Sequence, residues 1–380
     1  MSRILIFSYL PPASLAGGPL RSIDAIIKSL GLYHTFFVIS PSKEIDGTVV
    51  DYKCYDDNIV QGLSLHIKDV LSPYYVYSFC KRNKIDVIYL NSLFNIRVSY
   101  SVFIISLFLK FKLILAPRGE LEAGALKKNN LLKNLYIFLF KCTFVKRVDV
   151  FHSTSMSEYQ NIKLKLDVGH EKVVKIPNLR LIEIEDKYFQ SSTKFKNSLN
   201  LVFFSRIVPK KNLVKLLELL LGSSDLIGSL DIYGYVEDLK YWGDCLRLVD
   251  KFANISNFKV SYKGLLDADQ NAFANQLSSY DFFIFPTLSE NFGHVIIEAL
   301  AVGIPVILNN TTPFTNDVNK YNLGYAFDFN NKKIFYDVLS ETYHLDTVGH
   351  LDLKQNIRLF LQGYKLSTFD KIVKYNELFN

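Results

Sequence analysis

Residues 285–309 read FPTLSENFGHVIIEALAVGIPVILN. The apolar run Phe282–Pro286 predicts a strand that ends at Pro286. A loop follows, carrying Glu290 and then Gly293, which allows close backbone approach. A helix is expected from about His294 to Val302, and a second strand over Pro305–Asn309. Strand, loop, helix and strand make a βαβ unit. The helix is apolar at Val295, Ile296, Ile297, Leu300 and Ala301, with Glu298 among them. A carboxylate there is costly unless it is paired or hydrogen-bonded. Glu298 follows His294 by four residues, so the two share a face near the helix start. Two readings stand side by side. Glu298 is a buried structural glutamate satisfied by backbone, or it accepts hydrogen bonds from ligand hydroxyls. In the second case the helix-start amides of Asn291, Phe292, Gly293 and His294 face an anion or polar ligand.

The same rhythm runs outward in both directions. Short β-rich runs fall at Ile4–Tyr9, Thr35–Ser40, Val49–Tyr55, Asp86–Asn91, Lys112–Pro117 and Val148–Ser153. They resume at Leu201–Ile207, Leu230–Gly234 and Lys259–Gly264. Helical patterns such as Leu20–Leu30 and Leu213–Leu221 lie between them. Several runs are apolar throughout, as in strands buried on both faces of a parallel sheet. The fold class is α/β, with two Rossmann-like doubly wound domains facing a central cleft. The polar stretch Asp186–Asn200 divides them, giving domains over 1–190 and 191–361. A final helix at about 362–380 is expected to pack back on the first.

The chain has 380 residues, and 44 Lys and Arg against 37 Asp and Glu leave a net +7. With 49% hydrophobic and 21% charged residues, disorder is not expected. Four distant cysteines, at 54, 80, 142 and 245, exclude a zinc ribbon and argue for a reducing compartment. The amino-terminal residues lack a signal-peptide layout. Val98–Leu109 is too short to span about 30 Å of hydrocarbon as a helix. A mild charge without a nucleic-acid motif argues against nucleic-acid partners.

Other constellations sit just after strands, where such sheets bind ligands. Ser205-Arg206-Ile207-Val208-Pro209-Lys210-Lys211-Asn212 places cations before a helix, suited to a diphosphate or to a solvated turn. Gly17 and Gly18 precede Pro19 at a helix start, where a backbone anion pocket is possible. Arg118, Glu120 and Glu122 crowd the loop Ala116–Ala125, as a local ion pair or as cleft residues. Asp231–Gly234 and Tyr262–Gly264 each end a strand on glycine. His152, at the end of a strand, either faces the cleft or is a satisfied core histidine, the second reading being favoured. Asp267-Ala268-Asp269 reads as helix capping rather than a metal site, and the other histidines show no metal spacing. The basic, aromatic stretch Lys127–Arg147 reads either as a domain helix with solvated lysines or as a face for an anionic bilayer.

Glu290 to Glu298, within SENFGHVIIEAL, resembles the E-x7-E motif of family-4 glycosyltransferases, bacterial surface-polysaccharide subgroup. That resemblance implies a GT-B fold, with 1–190 on the acceptor side and 191–361 binding the nucleotide-sugar. It implies transfer of a sugar, from a UDP-sugar, to a polysaccharide or a polyprenyl-diphosphate-linked acceptor of capsule or lipopolysaccharide type. Retention, no metal and no cofactor beyond the donor are implied as well. By resemblance Glu298 holds the ribose and Glu290 the donor sugar, while Arg206 and Lys211 neutralise the diphosphate. Lys263 and Gly264 lie near the base, and Gly17 and Gly18 close over donor and acceptor. Arg118 and Glu120, in P-R-G-E, become cleft residues. Asn91 stands where many members carry a histidine; it hydrogen-bonds but does not titrate. The expected setting is cytoplasmic, with peripheral contact at the inner membrane face left open. Two other readings stay open: a nucleotide-sugar epimerase, and a catalytically silent partner in an assembly complex.

Overall fold

A computed structural model of the chain describes residues 1–10, 18–44, 46–52, 61–122, 126, 130–190, 199–222, 227–253, 255, 258–266 and 270–380. Two compact units divide it. The first is Met1–Leu181 with Ser367–Asn380, and the second is Ile182–Leu366. The sequence places the division near 190. It falls earlier because Ile182, Tyr188 and Phe189 are buried in the second unit's core.

The first unit holds seven parallel strands. They are β1 (Arg3–Phe7), β2 (Thr35–Ser40), β3 (Leu63–Ile67), β4 (Val87–Leu90), β5 (Lys112–Leu115), β6 (Val150–Ser153) and β7 (Val173–Lys175), in the order β3-β2-β1-β4-β5-β6-β7. Central strands such as β4 are buried along their whole length, because helices cover both sheet faces. One apolar cluster contains Leu5, Ile88, Val102 and Phe140, and the other Ile6, Ile26, Tyr89 and Phe379. The run Val49–Tyr55, expected as a strand, is none over its described residues. Val49 makes only an isolated bridge with Lys43, and β3 takes the sheet edge instead.

The second unit holds six parallel strands. They are β8 (Leu199–Phe204), β9 (Ile227–Tyr233), β10 (Lys259–Tyr262), β11 (Phe282–Phe285), β12 (Val306–Asn309) and β13 (Gly324–Phe327), in the order β10-β9-β8-β11-β12-β13. In each sheet the first strand runs beside two later ones, and the order reverses there: between β1 and β4, and between β8 and β11. Ligands of doubly wound sheets bind beyond the carboxyl ends of the strands at such a reversal.

One 33-residue helix, Thr347–Phe379, is shared between the units. Leu353, Ile357 and Leu361 are buried in the second core, and Tyr375, Leu378 and Phe379 in the first. The Phe379 ring meets Phe36 at 5.9 Å and Tyr89 at 5.7 Å between centroids, both edge-on. Phe379→Ala should therefore cost the first unit about 3–5 kcal/mol. Denaturant unfolding followed by hydrogen exchange should show amides of β1 and β2 losing protection and those of β11 and β12 keeping theirs. Equal loss in both sheets would contradict the placement of this terminus.

Candidate active site

The loops that leave β8 and β11 are joined across the strand-order reversal of the second sheet. After β8, Pro209–Lys211 forms a short 3-10 turn, and Asn212 adopts φ 59° before the helix Leu213–Leu220. Asn and Asp accept this left-handed conformation more readily than other side-chain-bearing residues. From there the Asn212 side-chain amide donates to the Pro286 carbonyl at 3.2 Å. Leu288 N and Thr287 Oγ1 both donate to the Lys210 carbonyl, at 2.9 and 3.2 Å. The Thr287 carbonyl in turn accepts from Asn309 Nδ2 at 3.0 Å and Thr311 Oγ1 at 2.7 Å.

At the centre of this seam the Lys211 ammonium donates to Glu290 Oε1. Both side chains are largely enclosed, 10% and 13% exposed. Lys211 Nζ also lies 5.1 Å from the centroid of the Phe285 ring, a cation–π contact at the end of β11. Burial pushes the Lys211 pKa down, while the Glu290 carboxylate pulls it up. Arg206, more exposed, pairs with Glu237 at 2.5 Å.

Gly293 has φ 82° and precedes the helix His294–Ala301. A Cβ at this position would meet only the end of the Ile296 side chain, at 2.8 Å, so it is the left-handed conformation that calls for glycine. His294 and Glu298 are both buried on this helix, and the His294 ring lies 4.6 Å from that of Phe292. At the neighbouring strand ends, Lys263 Nζ lies 3.6 Å from Asp231 Oδ2. Gly264 supplies the carbonyl for Gly234 N at 2.8 Å. Gly234 itself has φ 141°, and a Cβ there would fall 1.7 Å from the Ser205 carbonyl oxygen.

In the first unit Asn91, Arg118 and Glu120 are already occupied. Arg118 Nε donates to Asn91 Oδ1 at 2.6 Å, one Nη to Tyr89 Oη at 2.7 Å, and the other to Asn178 Oδ1. Asn178 also accepts from Ser22 Oγ at 3.1 Å. Tyr89 Oη lies 2.7 Å from His152 Nδ1, and His152 Nε2 lies 2.8 Å from the Ile176 carbonyl, a fully satisfied core histidine. Glu120 does not pair with Arg118; it accepts from Ser92 Oγ, Leu93 N and Phe94 N at 2.6–3.1 Å. Buried Glu158 accepts from Gly119 N at 2.7 Å and so fixes the turn between them. Gly18 begins the helix Gly18–Leu30, whereas Gly17, Asp267 and Asp269 lie outside the described residues.

The sequence reading missed Thr287, Asn309, Glu158 and Asn178. Glu158 left one trace, the capping pair Ser155-x-x-Glu158 at the start of the helix Met156–Leu166. Among the described residues, no three His, Cys, Asp or Glu are grouped to hold a metal ion.

Residues 184–359 match the family model described as glycosyl transferases group 1. The second unit is a group 1 glycosyl transferase domain. Its switch-point seam is thereby the candidate active site of a glycosyltransferase. An uncharacterized 41.2 kDa protein in the cps region of Klebsiella pneumoniae is 24% identical over 329 residues, covering 80% of this chain and 85% of that one. Protein CapJ of Staphylococcus aureus is 28% identical over 162 residues, 40% of each chain. Among solved structures, the sucrose-phosphate synthase of Thermosynechococcus elongatus superposes with a TM-score of 0.74 at 14% identity, covering 100% of this chain and 99% of that one. Anabaena Alr3699/HepE, in complex with UDP and glucose, gives 0.67 at 14% identity, with 100% and 98% covered. The fold of the chain is GT-B.

Two outcomes follow from this geometry. Removing one partner of a buried ion pair strands the other, so Glu290→Ala should destabilise the second unit by about 3 kcal/mol, and Lys211→Met added to it should recover most of that. Denaturant curves of the two single variants and the double variant measure this; additive losses would contradict the pairing. In the first unit, burial and then Arg118 push the His152 imidazole down to about 3, against a pull upward from the Ile176 carbonyl. The unfolded chain, at about 6.5, binds the proton first, so stability falls as pH drops from about 6.5 towards 3. In acid titrations watched by near-ultraviolet circular dichroism, His152→Gln should show a shallower loss over that window than wild type. Superimposable slopes would remove the role of His152.

Proposed function

We propose that the chain moves a sugar from a UDP-sugar to a growing bacterial surface polysaccharide carried on a polyprenyl diphosphate, with retention and without a metal. The observation that carries this reading is the Lys211–Glu290 pair at the strand-order reversal of a group 1 glycosyl transferase domain. A desolvated ammonium next to one carboxylate is a prepared anion site. A diphosphate brings more negative charge than a carboxylate and competes for Lys211, with Arg206 able to turn from Glu237 to help. Glu290, released from Lys211, then accepts hydrogen bonds from hydroxyls of the donor sugar. Glu298, at the helix that begins after Gly293, takes the ribose. Asn291, Phe292 and His294 line that helix start, and Lys263 and Gly264 the base side. Charge leaving with the nucleoside diphosphate is stabilised by cations fixed before the reaction, which needs no reorganisation at the moment of transfer.

Support for the donor class comes from Alr3699/HepE, solved with UDP and glucose on the same fold. Support for the acceptor class comes from the cps-region relative and from WaaG, a glycosyltransferase involved in lipopolysaccharide biosynthesis, which superposes with a TM-score of 0.66. Asn91 is spent on Arg118, so the first unit's part is to position the acceptor rather than to supply a titrating base there.

Thermal melting with UDP, GDP, ADP and their sugars tests the reading. A ligand at about 100 times its Kd adds about 2.7 kcal/mol to the folded state. UDP and a UDP-sugar should raise the melting temperature, in EDTA as without it. Glu298→Ala should weaken that shift about tenfold in Kd, whereas Glu290→Ala should keep nucleotide affinity and lose turnover. Unchanged UDP affinity in Glu298→Ala would remove the ribose assignment.

A further inference from the structure

The positive charge of this chain is not spread along it. Residues 91–148 hold ten Lys and Arg against two acids, Glu120 and Glu122, a net +8 that leaves the other 322 residues at −1. Within that segment lies the helix Asn130–Thr143, which contains no acidic residue. Its Ile137 and Phe140 are buried in the first unit, with Phe140 5.0 Å from Phe144 between ring centroids. That side is an ordinary domain face. The opposite side is apolar as well and faces solvent. Leu131 is 88% exposed, Leu132 72% and Phe138 61%, and Leu135 and Leu139 are exposed too. At 100° per residue these five positions fall within an arc of roughly 120°. A helix that is apolar on both sides and lies at the surface has one face without a protein partner among the described residues.

Lys141 borders that stripe and lies 3.8 Å from Asp167, whereas Lys133 falls on the buried side of the helix, over the Phe94 ring at 5.3 Å. Lys146 and Arg147 follow the helix directly and are exposed. An apolar stripe edged by lysine and arginine, with no acid on the helix, complements an anionic lipid surface: apolar side chains enter the acyl boundary while the cations meet headgroup charge. No helix among the described residues is long and apolar enough to cross a membrane, so the contact is with the surface.

We infer that the outer face of Asn130–Thr143, with Lys146 and Arg147, docks this chain on an anionic bilayer. The inference deepens the proposed function by naming where a lipid-linked acceptor is met, and rests on it only in that respect. Its residues are separate from the Lys211–Glu290 site.

Flotation of the full chain with vesicles tests it. Wild type should rise with vesicles of equal parts phosphatidylglycerol and phosphatidylcholine at physiological salt, and stay at the bottom with phosphatidylcholine alone. The double variant Leu132→Glu, Phe138→Glu should lose about tenfold in vesicle binding, and Lys146→Glu, Arg147→Glu a comparable amount. Both variants change exposed side chains, so their melting curves and their UDP shifts should match wild type. Absence of flotation with anionic vesicles would overturn the inference, as would variants that float like wild type. A wild-type dimer in sedimentation that becomes monomer in Leu132→Glu, Phe138→Glu would also overturn it, by showing a second copy on that face. A UDP shift that persists while flotation fails would leave the proposed activity standing.

Discussion

A buried ammonium held against a carboxylate is the constraint around which the second unit is arranged. Lys211 and Glu290 come from loops 79 residues apart in sequence. Neither charge is tolerated away from water by itself, since each would lose hydration without recompense. Together they draw the β8 and β11 loops into one seam, and the Lys210 and Thr287 carbonyls complete it with hydrogen bonds from both sides. The consequences spread outward. Gly293 must turn the chain sharply to start the next helix, and Gly234 must pass close to Ser205 at the end of β8. Thr287 Oγ1 also donates to Glu290 Oε1, at 3.3 Å, and Phe285 lies under the ammonium, so the pair is held from both strands' ends.

The first unit follows the same topological rule and ends in a different condition. Its strand order also reverses, between β1 and β4, and polar residues also gather after β4 and the neighbouring β5. Here, however, the guanidinium of Arg118 is shared among Asn91, Tyr89 and Asn178, and Glu120 is committed to the backbone at Leu93 and Phe94. These groups shape the loops. Arg118 at φ 55° and Gly119 at φ 80° form a turn that Glu158 holds from beneath. Conformations of this kind persist only where surrounding structure fixes them. The terminal residues Ser367–Asn380, through Phe379, close the same core. One unit thus holds an enclosed charge pair between two loops, and the other a hydrogen-bonded network beneath its loops.

The sequence was legible where burial was complete on both sides. Strands β1, β2, β4, β5, β8, β11 and β12 are apolar over most of their length because helices cover both faces. Strands β3, β7 and β13 escaped notice, and each lies at a sheet edge. Their residues are only partly covered, as in LSLHI of β3, so neither an apolar run nor clean alternation marks them. In the candidate site, Glu298 could be singled out because a carboxylate amid apolar helix positions contradicts its surroundings. The pairing of Lys211 with Glu290 could not be read, since spacing says nothing about which loops a parallel sheet brings together. The local ion pair offered for Arg118 and Glu120 fails for the same reason: nearby opposite charges suggest each other, but the turn at 118–119 sends them to different partners. Helix Asn130–Thr143 allowed two readings, a domain helix or a lipid-facing one, and its two apolar sides give grounds for both.

The central claim is that the Lys211–Glu290 seam receives the diphosphate of a nucleotide-sugar. A crystal structure of the protein soaked with UDP tests it most directly. The account predicts the β-phosphate within hydrogen-bonding distance of Lys211, with Glu290 turned away from the ammonium and the ribose against Glu298. Bound UDP elsewhere in the molecule, with the Lys211–Glu290 pair intact, would contradict it.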